Sequence, residues 1–353
     1  QLELPASTGA YTVGRTIFRW VDTSRQEVLT VNPNDLREVV VLVWYPAEPG
    51  TGSITGYFPH LSSVSDALLQ SGELEPWEVF GLRFIRSESR LDARPVKTEQ
   101  PFPVVILSPG NGTNIEFYSS LAAEIASHGY MVMGLNHPYD VLAVQLSSGK
   151  VALYNSEQWL LDAEAHQAYS IERIQVRTAD MVFALEQLEA MNRNGLFARL
   201  IDLNSVAAAG HSLGGITASE ACKSDPRFIA CLNFDGLQRG GPFSMEGTAL
   251  PPEQPFLFLT KEAQLHPRLM ERFESMSESY WVVVHGATHQ SFTDGPLLQP
   301  ALLPVPNQAD RMMSLIQQYS LAFLDQTLKG HSDELLSRAV EEDNISVRIF
   351  PSN

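Results

Sequence analysis

The stretch that decides the fold of this chain reads Gly210-His211-Ser212-Leu213-Gly214. It has the form G-x-S-x-G and stands between an apolar run, residues 206–209, and a helical pattern, residues 213–223. Strand, tight turn, serine and helix together are typical of a nucleophile elbow, in which small residues let the backbone approach closely and the serine hydroxyl stands exposed at the apex. Amides at the start of the following helix can stabilise negative charge there. An ordinary glycine turn is the alternative.

The same alternation of strand and helix patterns extends along the chain. Apolar, β-rich runs occupy residues 39–44, 104–107, 131–135, 206–209, 228–233, 256–259 and 281–284. Helical patterns occupy residues 115–128, 157–191, 213–223, 267–276 and 308–328. Most of the apolar runs are continuous rather than alternating, which indicates strands buried on both faces. The sequence therefore predicts an α/β fold with a mostly parallel central sheet flanked by helices.

No linker divides the chain, so we predict a single domain over residues 1–353. Residues 50–100 break the pattern with glycine, proline, serine and scattered aromatic residues. They form either a lid over the site or a surface loop packed by its own aromatic side chains. After Gly330 we expect one more amphipathic helix and a short strand, residues 345–350.

Composition limits the classes of partner. The formal net charge is −17, which argues against nucleic acid, since nucleic-acid binding needs a basic surface. The charge also disfavours attraction to anionic membranes, and no apolar run is long enough for a transmembrane segment. The chain starts at Gln1 without a signal segment, as we expect of a processed secreted or periplasmic protein, although a trimmed cytoplasmic chain would look the same.

The two cysteines, Cys222 and Cys231, fall near the end of the predicted elbow helix and in the next strand. Their spacing is compatible with a disulfide and with two buried free thiols.

A serine hydroxyl is a poor nucleophile until a base activates it and an acid orients the base. After a G-x-S-x-G elbow the expected chain order is serine, acid, histidine. Asp235 follows the run 228–234 and so lies at the carboxyl end of a predicted strand, although Asp235-Gly236 could equally be a plain turn. Asp202 and Asp225 precede their strands and lie at the wrong end.

Two histidines follow the run 281–284. His285 continues the strand directly, whereas His289 lies further out on a glycine-containing loop, which suits a side chain that must reach back to Ser212. We therefore predict His289 as the base. His211 belongs to the elbow itself, and we expect it to point away from the partners of the serine. No carboxylate or cysteine completes a metal-binding set around His285 and His289, so we predict no metal and no cofactor.

An oxyanion hole needs two backbone amides. The first should come from Leu213, directly after the serine, and the second from the turn after an early strand. The run 104–107 is that strand, and Asn111 in the glycine-containing turn after it is our candidate. A plain Pro-Gly turn remains the alternative.

These residues resemble the platelet-activating factor acetylhydrolase family of α/β-hydrolases, in its plasma and intracellular type II form. The resemblance rests on Gly-His-Ser-Leu-Gly-Gly at 210–215, Asp235 after it, and His289 within Thr-His-Gln-Ser-Phe. The segment Pro103–Gly110 resembles the family's oxyanion stretch, with Pro109 where the family usually has histidine. Segments 44–46 and 136–140 resemble bacterial members. In all, the resemblance extends over roughly residues 35–330.

The resemblance implies an α/β-hydrolase fold and a calcium-independent esterase or lipase that cleaves short or oxidised acyl chains from the sn-2 position of phospholipids, and small esters as well. It implies that the binding partner is a small ester or lipid substrate, and that the protein contacts a lipid surface transiently. A broad carboxylesterase or polyester hydrolase would use the same residues. A non-catalytic binding module of this fold is the third hypothesis, and the complete set of catalytic residue types argues against it.

Overall fold

The computed structural model describes residues 2–72, 74–236, 252–261, 267–276, 278–298 and 308–350. Its strands are β1 Leu2–Glu3, β2 Thr12–Gln26, β3 Leu36–Ala47, β4 Ile85–Arg86, β5 Arg90–Leu91, β6 Phe102–Ser108, β7 Met131–Asn136, β8 Ala143–Gln145, β9 Val151–Leu153, β10 Ile201–His211, β11 Phe228–Phe234, β12 Phe256–Thr260, β13 Ser279–Val284, β14 Val340–Glu342 and β15 Ile345–Phe350. Its α-helices are α1 Leu61–Ser71, α2 Pro76–Gly81, α3 Ser119–Ser127, α4 Ala163–Arg193, α5 Leu213–Ser224, α6 Pro267–Ser275, α7 Gly295–Leu298 and α8 Gln308–Lys329.

The chain divides into two compact units. The first comprises residues 1–97 and 109–169, and the second comprises residues 98–108 and 170–353. The prediction of one domain over the whole chain stays a prediction.

In the second unit the strands follow the order β14-β15-β13-β12-β11-β10-β6. Every neighbouring pair from β6 to β13 is parallel, and β15 is antiparallel to both of its neighbours. Strands β12 and β13 are buried along their whole length, as their continuous apolar sequences predict. Helix α5 lies against β10 and β11.

The pairing of β10 with β11 positions the site. Its register places His211 opposite Phe234, the last residue of each strand. Because parallel strands end at the same edge of a sheet, Ser212 and Asp235, the residues that follow, emerge there together.

In the first unit the strands follow the order β7-β3-β2-β5. Strands β2 and β3 form a long antiparallel pair, from Thr12 opposite Ala47 to Asp22 opposite Arg37, and β7 is antiparallel to β3. Two short pairs, β1 with β4 and β8 with β9, complete the strands of this unit among the residues described. Helix α3 lies against β3 and β7.

The excursion over residues 50–100 contains helices α1 and α2. Its aromatic residues divide into two groups. Tyr57 and Phe58 are buried and meet the edge of Phe117, whereas Trp77, Phe80 and Phe84 are more than half exposed. Only the first group of aromatic side chains therefore packs inside the protein, and the second group faces solvent.

The prediction of an amphipathic helix after Gly330 is wrong. The chain forms a single 3-10 turn, Glu334–Leu336, which the Asp333 side chain caps by accepting from the Leu335 amide, and it then enters β14 and β15. The strand predicted at residues 345–350 is confirmed. None of the helices described here combines the length and the apolarity that crossing a bilayer requires.

Candidate active site

The elbow between β10 and α5 has an unusual backbone. Ser212 adopts φ +55° and ψ −121°, a conformation that residues with a side chain rarely take. The amide of Ser212 donates to the Phe234 carbonyl at 2.9 Å, which ties the turn to the end of β11. A Cβ atom at Gly210 would collide with the carbonyl group of Gly214, so the first glycine of the motif lets strand and helix approach. Such strain is characteristic of functional turns.

Ser212 is less open than the sequence suggested. Only 5% of the residue is exposed, whereas the elbow pattern predicts a serine that is open to solvent at the apex of the turn. The turn after β11 passes close to it, since a Cβ atom on Gly236 would come within 2.6 Å of the Ser212 carbonyl oxygen.

Asp235 follows β11 directly and is almost fully buried. Its Oδ1 accepts from the Thr260 hydroxyl at 2.6 Å and from the Lys261 amide at 3.3 Å, and its Oδ2 lies 2.6 Å from Nδ1 of His289. Burial by itself would raise the pKa of this carboxyl, but the hydrogen bonds from His289, Thr260 and Lys261 together hold the pKa of Asp235 below its usual value. The side chain is therefore a carboxylate at neutral pH.

His289 begins a 3-10 turn, His289–Phe292, which starts from a capping box between Thr288 and Ser291. The imidazole side chain is 40% exposed, whereas its partner carboxylate is 3% exposed. With Nδ1–H donated to Asp235, Nε2 carries the lone pair and can accept a proton. The structure thus brings the predicted acid and the predicted base together. His285 instead bonds the Ser346 hydroxyl at 2.6 Å.

His211 does not point away from these groups, as the sequence had suggested. Its ring centroid lies 4.5 Å from that of His289 and 5.8 Å from that of Phe292. Because it ends β10 and is 2% exposed, its ring is held among the loops that follow β11 and β13. Burial, and next the proximity of His289, lower the pKa of His211 to about 3, which keeps this ring neutral.

Leu213 is the first residue of α5, and its side chain packs with Ile174 and Ile216. The first amides of a helix have no acceptor within the helix, so its N–H is a donor of the kind that binds anions.

Asn111 lies in the first unit, in the turn after β6. The neighbouring amides are engaged, since Gly110 donates to the Tyr118 hydroxyl at 2.9 Å and Gly112 donates to the Asp140 carbonyl at 2.8 Å. Among the described residues, nothing accepts from the Asn111 amide. Its side-chain amide donates to Oε1 of Gln158 at 2.9 Å. Asn111 as oxyanion donor stays a prediction.

Sequence reasoning missed two polar residues that shape this site. Thr260 ends β12 and bonds Asp235. Asn233, fully buried near the end of β11, bonds both backbone groups of Gly236 and so fixes the turn that carries the acid. Each was visible as a polar residue closing an otherwise apolar strand.

The disulfide question is settled in favour of the bridge, because Cys222 on α5 is bonded to Cys231 on β11. In the described parts of the chain, no group of three or more histidine, cysteine or carboxylate side chains is arranged to hold a metal ion.

Comparisons with known proteins identify the family of the chain. The family model of platelet-activating factor acetylhydrolase, isoform II, matches residues 1–342. The guinea-pig (Cavia porcellus) platelet-activating factor acetylhydrolase is 24% identical over 92% of this chain and 78% of its own. A probable 1-alkyl-2-acetylglycerophosphocholine esterase of the fungus Arthroderma benhamiae is 26% identical over 84% of this chain and 77% of its own.

Among solved structures, a ferulic acid esterase from Streptomyces cinnamoneus superposes with a TM-score of 0.75 at 26% identity, covering 96% of this chain and 97% of that one. The predicted α/β-hydrolase fold is thereby confirmed.

Proposed function

Since the chain belongs to the platelet-activating factor acetylhydrolase, isoform II, family and is a carboxylic ester hydrolase, we propose that it cleaves short-chain esters through an acyl-enzyme formed on Ser212. The observation that carries the proposal is the 2.6 Å contact between Asp235 and His289 at the same sheet edge as the strained serine. Acyl transfer requires an acid, a base and a nucleophile, and in the proposal Asp235, His289 and Ser212 supply them.

In the proposed mechanism Asp235 holds His289 in the tautomer that has its lone pair on Nε2. His289 takes the Ser212 proton as the hydroxyl oxygen attacks the ester carbonyl, and it then protonates the departing alkoxide. The amides of Leu213 and Asn111 stabilise the oxyanion, an effect of roughly 3 kcal/mol for each donor. Water, deprotonated by the same histidine, releases the acid and restores the serine.

A serine substitution tests the nucleophile directly. We expect Ser212→Ala to abolish hydrolysis of p-nitrophenyl acetate and labelling by an active-site phosphonate. Ser224→Ala, at the exposed far end of the same helix, should behave as wild type. Undiminished turnover by a folded Ser212→Ala variant would refute the acyl-enzyme.

For the substrate we propose an ester of a short acyl group, including a phospholipid with an sn-2 acetyl group. The names of both quoted relatives describe enzymes that act on acetyl esters. A p-nitrophenyl series from acetate to palmitate, with chelator present, tests chain length. A sharp acetate optimum supports this proposal, and a palmitate optimum supports a larger acyl groove.

A broader carboxylesterase is the second candidate, because the ferulic acid esterase matches this chain over nearly its whole length. Methyl ferulate and an sn-2 acetyl phospholipid, compared by kcat/KM, separate the two candidates. A preference for ferulate by more than tenfold would favour the esterase.

We also propose transient contact of the excursion with a lipid surface. Trp77, Phe80 and Phe84 are 60%, 58% and 52% exposed, and Arg83 lies beside Phe80. Exposed aromatic side chains next to a cation suit the boundary between headgroups and acyl chains. Trp77→Ser/Phe80→Ser should sediment less with phosphatidylcholine vesicles, while its kcat on p-nitrophenyl acetate is unchanged. Equal sedimentation would remove these residues from lipid contact.

Secretion or export to the periplasm remains our proposal for location. The disulfide supports it, because such bridges persist in oxidising compartments. Fractionation of the source cells tests it, and recovery of the protein in the cytosol would contradict it.

A further inference from the structure

Four aromatic rings form a column beside the proposed triad. The ring of His289 lies 4.5 Å from that of His211, the ring of His211 lies 5.8 Å from that of Phe292, and the ring of Phe292 lies 6.4 Å from that of Phe234. The last two pairs are nearly parallel, with interplanar angles of 20° and 25°. These distances are typical of attractive ring contacts, so the column is a packed unit.

The column joins the three loops that carry the reacting groups. His211 directly precedes Ser212, Phe234 directly precedes Asp235, and Phe292 closes the turn that His289 begins. The inner three rings are buried, with exposures of 1–2%, and only His289, at the outer end, is partly open. A shift of any one loop would therefore disturb the ring contacts of the others.

The imidazole of His289 needs two restraints. The hydrogen bond to Asp235 at 2.6 Å fixes one edge of the ring but leaves the ring free to swing about that bond. The His211 ring, whose plane is inclined by 40° to that of His289, packs against it with 4.5 Å between the ring centroids and so limits this swing. Since the base must meet the serine proton within hydrogen-bond reach, such a swing would lower the rate of proton transfer.

Charge is compatible with this role. During turnover His289 becomes an imidazolium, and a second cation at 4.5 Å would oppose that step. Burial keeps His211 neutral, because its pKa is lowered to about 3. Within the part of the chain that the structure describes, the titratable groups that face His211 are His289 on one loop and Asp235 on the other.

We propose that His211 is a positioning residue for ester hydrolysis, whose packed ring holds the plane of the His289 imidazole while Asp235 holds its Nδ1 edge. The inference rests on the proposed function and extends it to a residue outside the triad. It predicts a requirement for a flat ring at position 211, whereas simple space-filling would be met by any apolar side chain of similar volume.

The test compares His211→Leu, which removes the ring, with His211→Phe, which keeps one. Displacement of a catalytic group by about 1 Å can cost on the order of 100-fold in rate. On p-nitrophenyl acetate we expect kcat of the Leu variant to fall by roughly 10- to 100-fold with KM within about twofold of wild type. The Phe variant should recover kcat to within roughly fivefold of wild type.

The inference is overturned by equal activity of both variants and wild type, or by equal loss in both variants. A change confined to KM also overturns it. If the position 211 variants do not fold, Phe292→Leu carries the test, because it withdraws support from the His211 ring while leaving His211 in place. It should lower kcat by roughly two- to fivefold at constant KM, and unchanged kcat overturns the inference.

The proposed function fails separately. An active Ser212→Ala variant rejects the acyl-enzyme whatever His211 does. An inactive Ser212→Ala variant together with a fully active His211→Leu variant rejects only the role of His211.

Discussion

Single residues at this site differ in how far their surroundings could be inferred. His289 could be distinguished from His285 because a side chain on the loop can extend back towards Ser212. In the structure the His289 ring contacts the Asp235 carboxylate. The contact between His211 and His289 could not be foreseen, since it depends on how two loops far apart in sequence pack. Thr260 and Asn233 were missed for the same reason, because a polar residue ending an apolar strand shows that a partner is needed without showing which one.

The buried, neutral state of His211 makes a prediction about stability. The folded chain holds the pKa of this ring at about 3, against 6.5 for a histidine in water, so between these pH values the unfolded chain binds a proton that the folded chain does not. His289 and Asp235 face the ring, and burial outweighs the attraction of Asp235. The contribution of this residue is therefore complete above pH 6.5 and declines as the pH falls towards 3.

The expected size follows from linkage. A difference of one bound proton corresponds to about 1.4 kcal/mol for each pH unit, so from pH 6 to pH 4 this residue should lower the free energy of unfolding by about 2–3 kcal/mol. Urea denaturation of wild type and His211→Phe at pH 6, 5 and 4 measures it. The decrease between pH 6 and pH 4 should be smaller in the variant by that amount. Parallel curves would mean that His211 titrates normally in the folded protein.

Among the elements, the strands that could be predicted are those buried on both faces. Strands β6, β10, β11, β12 and β13 appear as continuous apolar runs, so burial alone identifies them. Strand β2 was missed because its sequence mixes arginine, threonine and aromatic residues. Arg15 is fully buried there, and its two terminal nitrogens donate to the carbonyls of Gly56 and Tyr57, so partners distant in sequence allow a strand at a residue that would otherwise mark a loop.

The disulfide joins two elements that carry proposed catalytic residues, helix α5 after Ser212 and strand β11 before Asp235. The bridge closes a loop with a sequence separation of 9, which restricts the unfolded chain by about 2–3 kcal/mol in the chain-entropy model. Cys222 lies ten residues after Ser212, or about 15 Å along the helix. We therefore expect the bridge to affect stability far more than chemistry.

The variant Cys222→Ala/Cys231→Ala tests this expectation. Its free energy of unfolding should fall by about 2–3 kcal/mol, while kcat on p-nitrophenyl acetate at 25 °C stays within roughly twofold of wild type. Ser224→Ala serves as a control at the same end of the helix. Unchanged stability would argue against a bridge in the folded protein. A loss of kcat beyond tenfold would mean that the bridge also holds the geometry of the site.

For the whole molecule, charge and composition argue against some classes of partner but do not identify the substrate. The net charge of −17 is summed over all 353 residues and needs no structure. The choice among acetyl, ferulate and longer esters depends on the walls around Ser212, which are assembled from side chains distant in sequence. The net charge therefore affects how the protein approaches a lipid surface, whereas the shape of the site determines which ester it cleaves.

The net charge predicts a dependence of interfacial activity on salt. Exposed charges act over about 30 Å at 0.01 M ionic strength but only about 8 Å at 0.15 M, whereas the exposed rings of Trp77, Phe80 and Phe84 must touch the lipid to bind it. On vesicles with anionic lipid, hydrolysis of an embedded sn-2 acetyl phospholipid should rise when NaCl increases from about 10 to about 150 mM, because repulsion is screened. On phosphatidylcholine vesicles, and on soluble p-nitrophenyl acetate, the rate should stay nearly constant. A rate on anionic vesicles that falls with salt would show that local cations, such as Arg83 beside Phe80, govern the approach instead of the charge of the whole chain.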